Sequence, residues 1–190
     1  MNTLLSVLLG IGLAAACGFR IFVPFLIVSI AAKTGHVTLG PAFAWMASTP
    51  ALIAFSVATV VEIGAYYIPW LDHLLDVAAT PSAVVAGMVM TASVVTGLDP
   101  MMKWTLALIA GGGIAATVQA LTVGTRKVSL LTTGGLANPA VATLELVGAT
   151  GLALLAIALP LAAFAVIAWA LFFGVRFLLR LLRGSGKAPA

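Results

Sequence analysis

Glu62-Ile-Gly-Ala-Tyr-Tyr-Ile-Pro-Trp-Leu-Asp-His-Leu-Leu-Asp76 is the stretch on which the reading of this chain turns. It opens with a carboxylate inside an apolar run and holds three of the chain's five acidic residues. At about 100° per residue, an unbroken helix would align Glu62, Tyr66, Pro69, His73 and Asp76 on one stripe, with Asp72 close beside it. Pro69 lacks an amide hydrogen, so the helix should bend or break there. The expectation is a polar stripe running from a membrane interior, past a kink, to the surface, where it lines a path or a pocket.

The surroundings of that stretch set the class. The chain has 190 residues, of which 63% are hydrophobic and 7% charged, with a mean hydropathy of +1.23. A soluble domain carries roughly 25% charged residues. Several apolar runs reach the ~20 residues that cross a bilayer. They are continuous rather than alternating, which excludes a transmembrane β-barrel. The class is therefore an all-α, polytopic helical membrane protein, one transmembrane domain over residues 1–190 with a flexible cytoplasmic tail at 185–190. A net charge of +4 does not indicate nucleic acid. Arg176, Arg180, Arg183 and Lys187 gather at the end of the last apolar run, as a cytoplasmic flank does. Cys17 is the single cysteine, so no intrachain disulfide forms.

Working outward, the N-terminal run reads as one uncleaved helix over residues 3–32, because Met1-Asn2-Thr3 lacks the basic segment of a signal peptide. Arg20 lies near its middle. Residues 33–48 form a Gly/Pro-containing loop, and Thr49-Pro50 opens a second helix that reaches Ile68. Thr80-Pro81 repeats that opening before a third helix over residues 82–97, which at ~24 Å is short for a ~30 Å hydrocarbon core. Asp99-Pro100 marks a turn. A fourth helix covers residues 103–124 and contains Gly111-Gly112-Gly113, which permit close helix approach and weaken the helix locally. A loop over residues 125–137 carries Arg126-Lys127, and Asn138-Pro139 caps the next helix. Residues 139–183 have almost no polar break; one helix of that length would span roughly 68 Å, so it must break, at Leu159-Pro160 or at residues 148–151. About six membrane segments result, with both termini and Arg126-Lys127 on the cytoplasmic side of a bacterial inner membrane. Halves at residues 1–98 and 99–184 each contain a Pro-opened helix bearing a glutamate, the pattern of a 3+3 inverted repeat.

Ionisable groups inside lipid cost ~2.5–3.5 kcal/mol each, so they turn inward and pair. Arg20 and Glu62 fit that description best, either as a cargo or proton site or as an ion pair that locks helices. Glu145 is a second-half carboxylate, or else a solvated acid at a helix N-terminus. Asp72 and Asp76, at i and i+4, form an acidic vestibule or hold a hard cation, a metal signal that two carboxylates alone leave weak. Tyr66, Tyr67 and Trp70 read as an interfacial aromatic belt. Arg126 and Asn138 complete the candidate pathway set. No phosphate-binding loop, His-Glu-x-x-His helix or Gly-x-Ser-x-Gly elbow is present, so no cofactor is expected and an enzyme is the less favoured reading. Expected partners are membrane lipids and a small solute or ion, not nucleic acid, with a homo-oligomer left open.

Three blocks together resemble a known family: Gly18-Phe-Arg-Ile-Phe-Val-Pro24; Glu62 with Pro69-Trp-Leu-Asp72 and Asp76; and Thr132-Thr-Gly-Gly-Leu-Ala-Asn-Pro139 with Glu145. They are similar to the bacterial membrane family designated domain of unknown function 4126. That family often has Asp-Lys where this chain has Tyr66-Tyr67, and Glu-Asp where it has Glu145-Leu146. The resemblance implies a membrane topology and groups Arg20, Glu62, Asp72, Asp76, Asn138 and Glu145 as one set; it implies no chemistry. Three functions then compete: a transporter or channel for a small solute or ion, an enzyme or flippase for a lipid-linked phosphate gripped by Arg20 and Arg126, and a non-catalytic assembly subunit.

Overall fold

A computed structural model describes the backbone of residues 2–184, and the side chains of these except 69–77, 175 and 177–184. Every regular element among the described residues is helical. Helix α1 (Thr3–Phe19) starts at Asn2, whose side chain accepts from the Leu4 amide at 3.3 Å. It does not run on to residue 32 as expected. Arg20 is extended (φ −146°, ψ 134°), and α2 (Phe22–Lys33) begins afresh with Pro24 in its first turn. The cause is steric: in a continuous helix the Pro24 ring would clash with the carbonyl four residues earlier, that of Arg20.

The segment read as a loop at 33–48 contains a 3₁₀ helix (Pro41–Ala47), which meets α3 (Thr49–Ala65) at a 67° bend. Ser48, rather than Thr49, caps α3 by accepting from the Ala51 amide at 3.3 Å. The chain turns at residues 66–68, and α4 (Pro69–Val94) opens on Pro69. A break near Pro69 was expected, but the continuous stripe from Glu62 to Asp76 was not realised. Pro81 opens no third helix; it lies inside α4. The cost there is one missing amide bond, which packed apolar helices tolerate.

Asp99 caps α5 (Pro100–Leu106) through the Met102 amide at 3.1 Å. A π-helical segment (Ala107–Gly112) carries the run into α6 (Gly113–Thr133), giving one continuous helix over Pro100–Thr133. The π turn falls where Gly111 packs on α4: a Cβ on Gly87 would lie 2.6 Å from the Gly111 carbonyl oxygen. The loop expected from residue 125 is helical up to Thr133, because no Gly or Pro interrupts it before Gly134, which ends the helix at φ 63°. Helix α7 (Asn138–Ala158) passes unbroken through Gly148 and Gly151, so of the two candidate breaks the chain uses Leu159-Pro160. Leu159 leaves the helical region (φ −141°, ψ 75°), the α conformation being disfavoured before proline, and α8 (Pro160–Gly184) follows.

Helix α1 is the hub. Residues 8–18 are all buried, and α4, α6, α7 and α8 pack around it. Two glycines set how near the neighbours come. A Cβ at Gly12 would lie 2.6 Å from that of Ala156 on α7, and one at Gly18 would lie 2.6 Å from the Val118 Cβ on α6. The periphery is apolar, with Leu131 86%, Val60 70% and Trp169 65% exposed. An exposed surface this rich in large apolar side chains points to a membrane protein. Among the described residues, Pro100–Thr133 and Asn138–Ala158 are long and apolar enough to cross a bilayer, or three spans if the bent pair counts as one; Thr3–Phe19, Phe22–Lys33, Ala78–Val94 and Pro160–Gly174 are shorter apolar helices.

Candidate functional site

The break between α1 and α2 leaves peptide N–H groups at the start of α2 with no carbonyl partner in their own helix. No side chain of α2's own flank caps them. Glu62, in the last turn of α3, does: its Oε1 accepts from the Ile21 amide at 2.8 Å and its Oε2 from the Phe22 amide at 3.0 Å. The carboxylate is 8% exposed and sits where the positive end of the helix dipole favours an anion. An ion pair with Arg20 was one of the two readings of Glu62. Glu62 holds instead the two backbone amides that follow Arg20, and Arg20 turns the other way.

Arg20 is 2% exposed. Its Nη2 donates to the Ala142 carbonyl at 2.9 Å and lies 3.6 Å from Glu145 Oε2. Its Nε and Nη1 are buried without a hydrogen-bond partner. Arg126 reaches the same carboxylate from α6: Nε donates to Glu145 Oε1 at 3.0 Å and Nη2 donates to Oε2. Both guanidiniums lie on Tyr66, with their central carbons 3.8 Å and 4.1 Å from the ring centroid. Among the described residues, two guanidiniums and two carboxylates thus gather at the helix break. Each half of the chain contributes one of each sign.

The structure corrects three expectations. Arg126, placed in a cytoplasmic loop, is a helical residue 4% exposed. Glu145, weighed as a solvated acid, is 4% exposed and shared by two arginines. Tyr66, read as part of an interfacial belt, is buried under both guanidiniums. The stripe geometry had already put Tyr66 one turn from Glu62, and that was the available signal. Tyr67 remains exposed, and its hydroxyl shares a 2.9 Å hydrogen bond with Thr143 Oγ1, one residue past the Ala142 carbonyl that Arg20 uses. Nothing in the sequence announced that contact. Asn138 is the first residue of α7 rather than its cap, two turns ahead of Glu145 and half-buried. Asp72, Asp76, His73 and Trp70 have side chains outside the described residues. Among the described residues no group of three His, Cys, Asp or Glu is placed to hold a metal.

A groove of about 620 Å³ runs beside the cluster, between the start of α2, α3 and α4. Ile21, Glu62 and Tyr66 form its inner wall, and it reaches the exterior beside Val57 and Val61, which are 58% and 63% exposed. Tyr66 is thus the partition between the groove and the guanidiniums. Among the described residues the other walls are mainly alanine and valine, with Ser82 on α4.

A family model described as a domain of unknown function, DUF4126, matches residues 7–180. The chain belongs to the DUF4126 family. Arg20, Glu62, Arg126 and Glu145 all fall within the matched span. No curated protein and no solved structure matches the chain. As a member of DUF4126 the protein inherits no activity, and the chemistry has to come from the cluster itself. Arg126 grips the carboxylate by two adjacent donors, a geometry that suits planar oxyanions. Buried, and with Tyr66 beneath, the two guanidiniums have the donor geometry and charge to hold a planar oxyanion, as they hold the Glu145 carboxylate.

Proposed function

We propose that the protein is a membrane transporter for a small solute, with Arg20, Glu62, Arg126 and Glu145 at its substrate site. The observation that carries this reading is the convergence of charged groups from both halves of the chain at a break in the central helix. Interrupted helices whose N-termini face a shared midplane site are how transporters present unpaired backbone and charge to a cargo. About six membrane segments, an inverted relation of the halves and an inner-membrane location belong to the same proposal. The cytoplasmic assignment of the termini now leans on Arg176 and the basic residues after it in sequence, because Arg126 is taken up by Glu145.

In this reading the Tyr66–Tyr67 turn and its Thr143 bond form one gate, and movement of Tyr66 uncovers the arginines from the groove. The test is uptake into proteoliposomes containing the purified chain. Wild-type protein gives solute-dependent flux, and Arg20→Ala together with Glu62→Gln abolishes it. Unchanged flux in the double variant sinks the proposal.

A second reading has one observation in its favour. Both arginines lie at one point beside a groove that reaches the apolar exterior at Val57 and Val61, where an enzyme or flippase could admit a lipid-linked phosphate. It predicts movement of a phosphate-headed lipid between leaflets and no flux of a water-soluble solute, so the same vesicles distinguish the two.

A further inference from the structure

Arg20 is held by one hydrogen bond and one ion-pair contact, while its Nε and Nη1 are buried with no hydrogen-bond partner. Leaving buried guanidinium donors unmet is costly, because they have lost water without gaining an acceptor. A cation kept buried with spare donors, beside a second arginine and over an aromatic ring, is a receptor for a planar anion. The plane is already filled in part by Glu145, whose carboxylate both arginines share. The resident group shows what shape fits.

We propose that Arg20 and Arg126 form the binding site for a small monocarboxylate, that Glu145 is its built-in placeholder, and that the cargo displaces Glu145 only as Glu145 takes up a proton. This rests on the transport reading and names its substrate class. The balance is simple. An incoming carboxylate replaces the Glu145 carboxylate on the two guanidiniums, one ion-pair set for another. Glu145 is then left buried and unpaired, where a charged carboxylate is not sustained, so one proton from solvent ends on its oxygen. No bond other than that O–H is made. Among the described residues, the ionisable groups around Glu145 are Arg20 at the α1–α2 break, Arg126 on α6, Tyr66 at the end of α3 and, beyond Arg20, Glu62. Lys127 on α6 is exposed, and α8 contributes none through Gly174. The groove walls carry the rest of the specificity. Among the described residues, beyond Ile21, Phe22, Glu62, Tyr66 and Ser82 they are alanine and valine, and a short hydrocarbon body of the cargo fits against them.

The experiment is calorimetric titration of the full-length protein in detergent with two probes, acetate and nitrate. Nitrate has the same flat oxyanion face and carries no proton of its own, so any proton taken up on binding it comes to the protein. Titrations in buffers of different ionisation heat count that proton. The expected result is about one proton per nitrate, with affinity for nitrate rising up to tenfold per unit fall in pH. Glu145→Gln, which cannot hold the arginines as an anion, is expected to bind both probes with no proton uptake and no pH dependence. Infrared difference spectra of the wild type add a readout that needs no variant: nitrate should raise a protonated-carboxyl band. The proposal is overturned if neither probe binds, if binding takes up no proton, if no such band forms, or if Glu145→Gln keeps the wild-type pH dependence. Flux is read separately. Proton-linked binding without flux supports the anion site and removes the transport reading, whereas flux of another solute without binding of either probe overturns the anion site alone.

Discussion

Glu145 is the residue on which the cluster depends most, since two buried guanidiniums share its carboxylate. Removing one partner of a buried ion pair costs about 3–5 kcal/mol, because the charge left behind is neither solvated nor paired. Glu145→Leu should therefore lower stability in detergent by about that amount, read from chemical unfolding followed by tryptophan fluorescence. Pairing it with Arg126→Met should cost less than the sum of the two single changes, which marks direct coupling. Glu62 acts on the backbone instead. In Glu62→Ala the part-buried Ile21 and Phe22 amides lose their charged acceptor, at up to about 1.5 kcal/mol each because water can partly replace it, and hydrogen exchange at those two positions should accelerate with little change in the middle of α1. Arg20 and Glu62 were legible as inward-facing groups, because a charge inside an apolar run must be turned inward. Their pairing was not. Arg20 and Glu145 are brought together by the packing of α1 against α7, which no local pattern encodes. Arg126 was misplaced because its neighbour Lys127, an exposed residue, gave the segment the look of a polar loop.

Among the elements, the break after α1 and the π segment before α6 each follow from identifiable residues. Pro24 stands four residues after Arg20 in the sequence, the spacing at which its ring meets a helical carbonyl. Its consequence was missed because an N-terminal proline is also compatible with a helix start, and the hydrophobic run crosses it without pause. Pro81 shows the reverse: the same Thr-Pro signal that precedes α3, yet the helix continues through it. What separates Pro24 from Pro81 is tertiary. At Arg20 a carboxylate from α3 replaces the missing helical acceptors, and no sequence window contains that partner. The π turn makes a sharper prediction. Gly87→Ala places a Cβ against the Gly111 backbone, so α4 and the π segment must part, and the loss should be about 1–3 kcal/mol. Gly113→Ala, where nothing lies within 4 Å of the added methyl, should instead stabilise by up to about 1 kcal/mol. Thermal shift in detergent ranks the two against wild type.

For the whole molecule, all-helical architecture and a membrane-type surface were readable from composition alone, whereas the convergence of both halves on one point required the fold. If the Tyr66–Tyr67 turn is the moving part, the Tyr67–Thr143 bond is a tie that holds it to α7. An exposed bond of this kind contributes about 0.5–1.5 kcal/mol. Tyr67→Phe should then raise the opening rate of the turn by up to about tenfold without unfolding the bundle. Faster exchange of the amides at residues 66–68, with unchanged thermal stability, is the expected reading; unchanged exchange would mean the turn is held by something other than this bond.

The central place of α1 also orders the protein's birth. This helix leaves the ribosome before α7, yet the Arg20 side chain binds a carbonyl 122 residues later in the chain. Until α7 arrives, Arg20 lacks both the Ala142 carbonyl and the Glu145 carboxylate, and a charge left at the centre of a membrane helix costs about 2.5–3.5 kcal/mol. Chains truncated ahead of Asn138 would keep that burden permanently. Quality control at the membrane would meet them as unfinished, and their turnover relative to the full chain would report how far integration waits on the last helices.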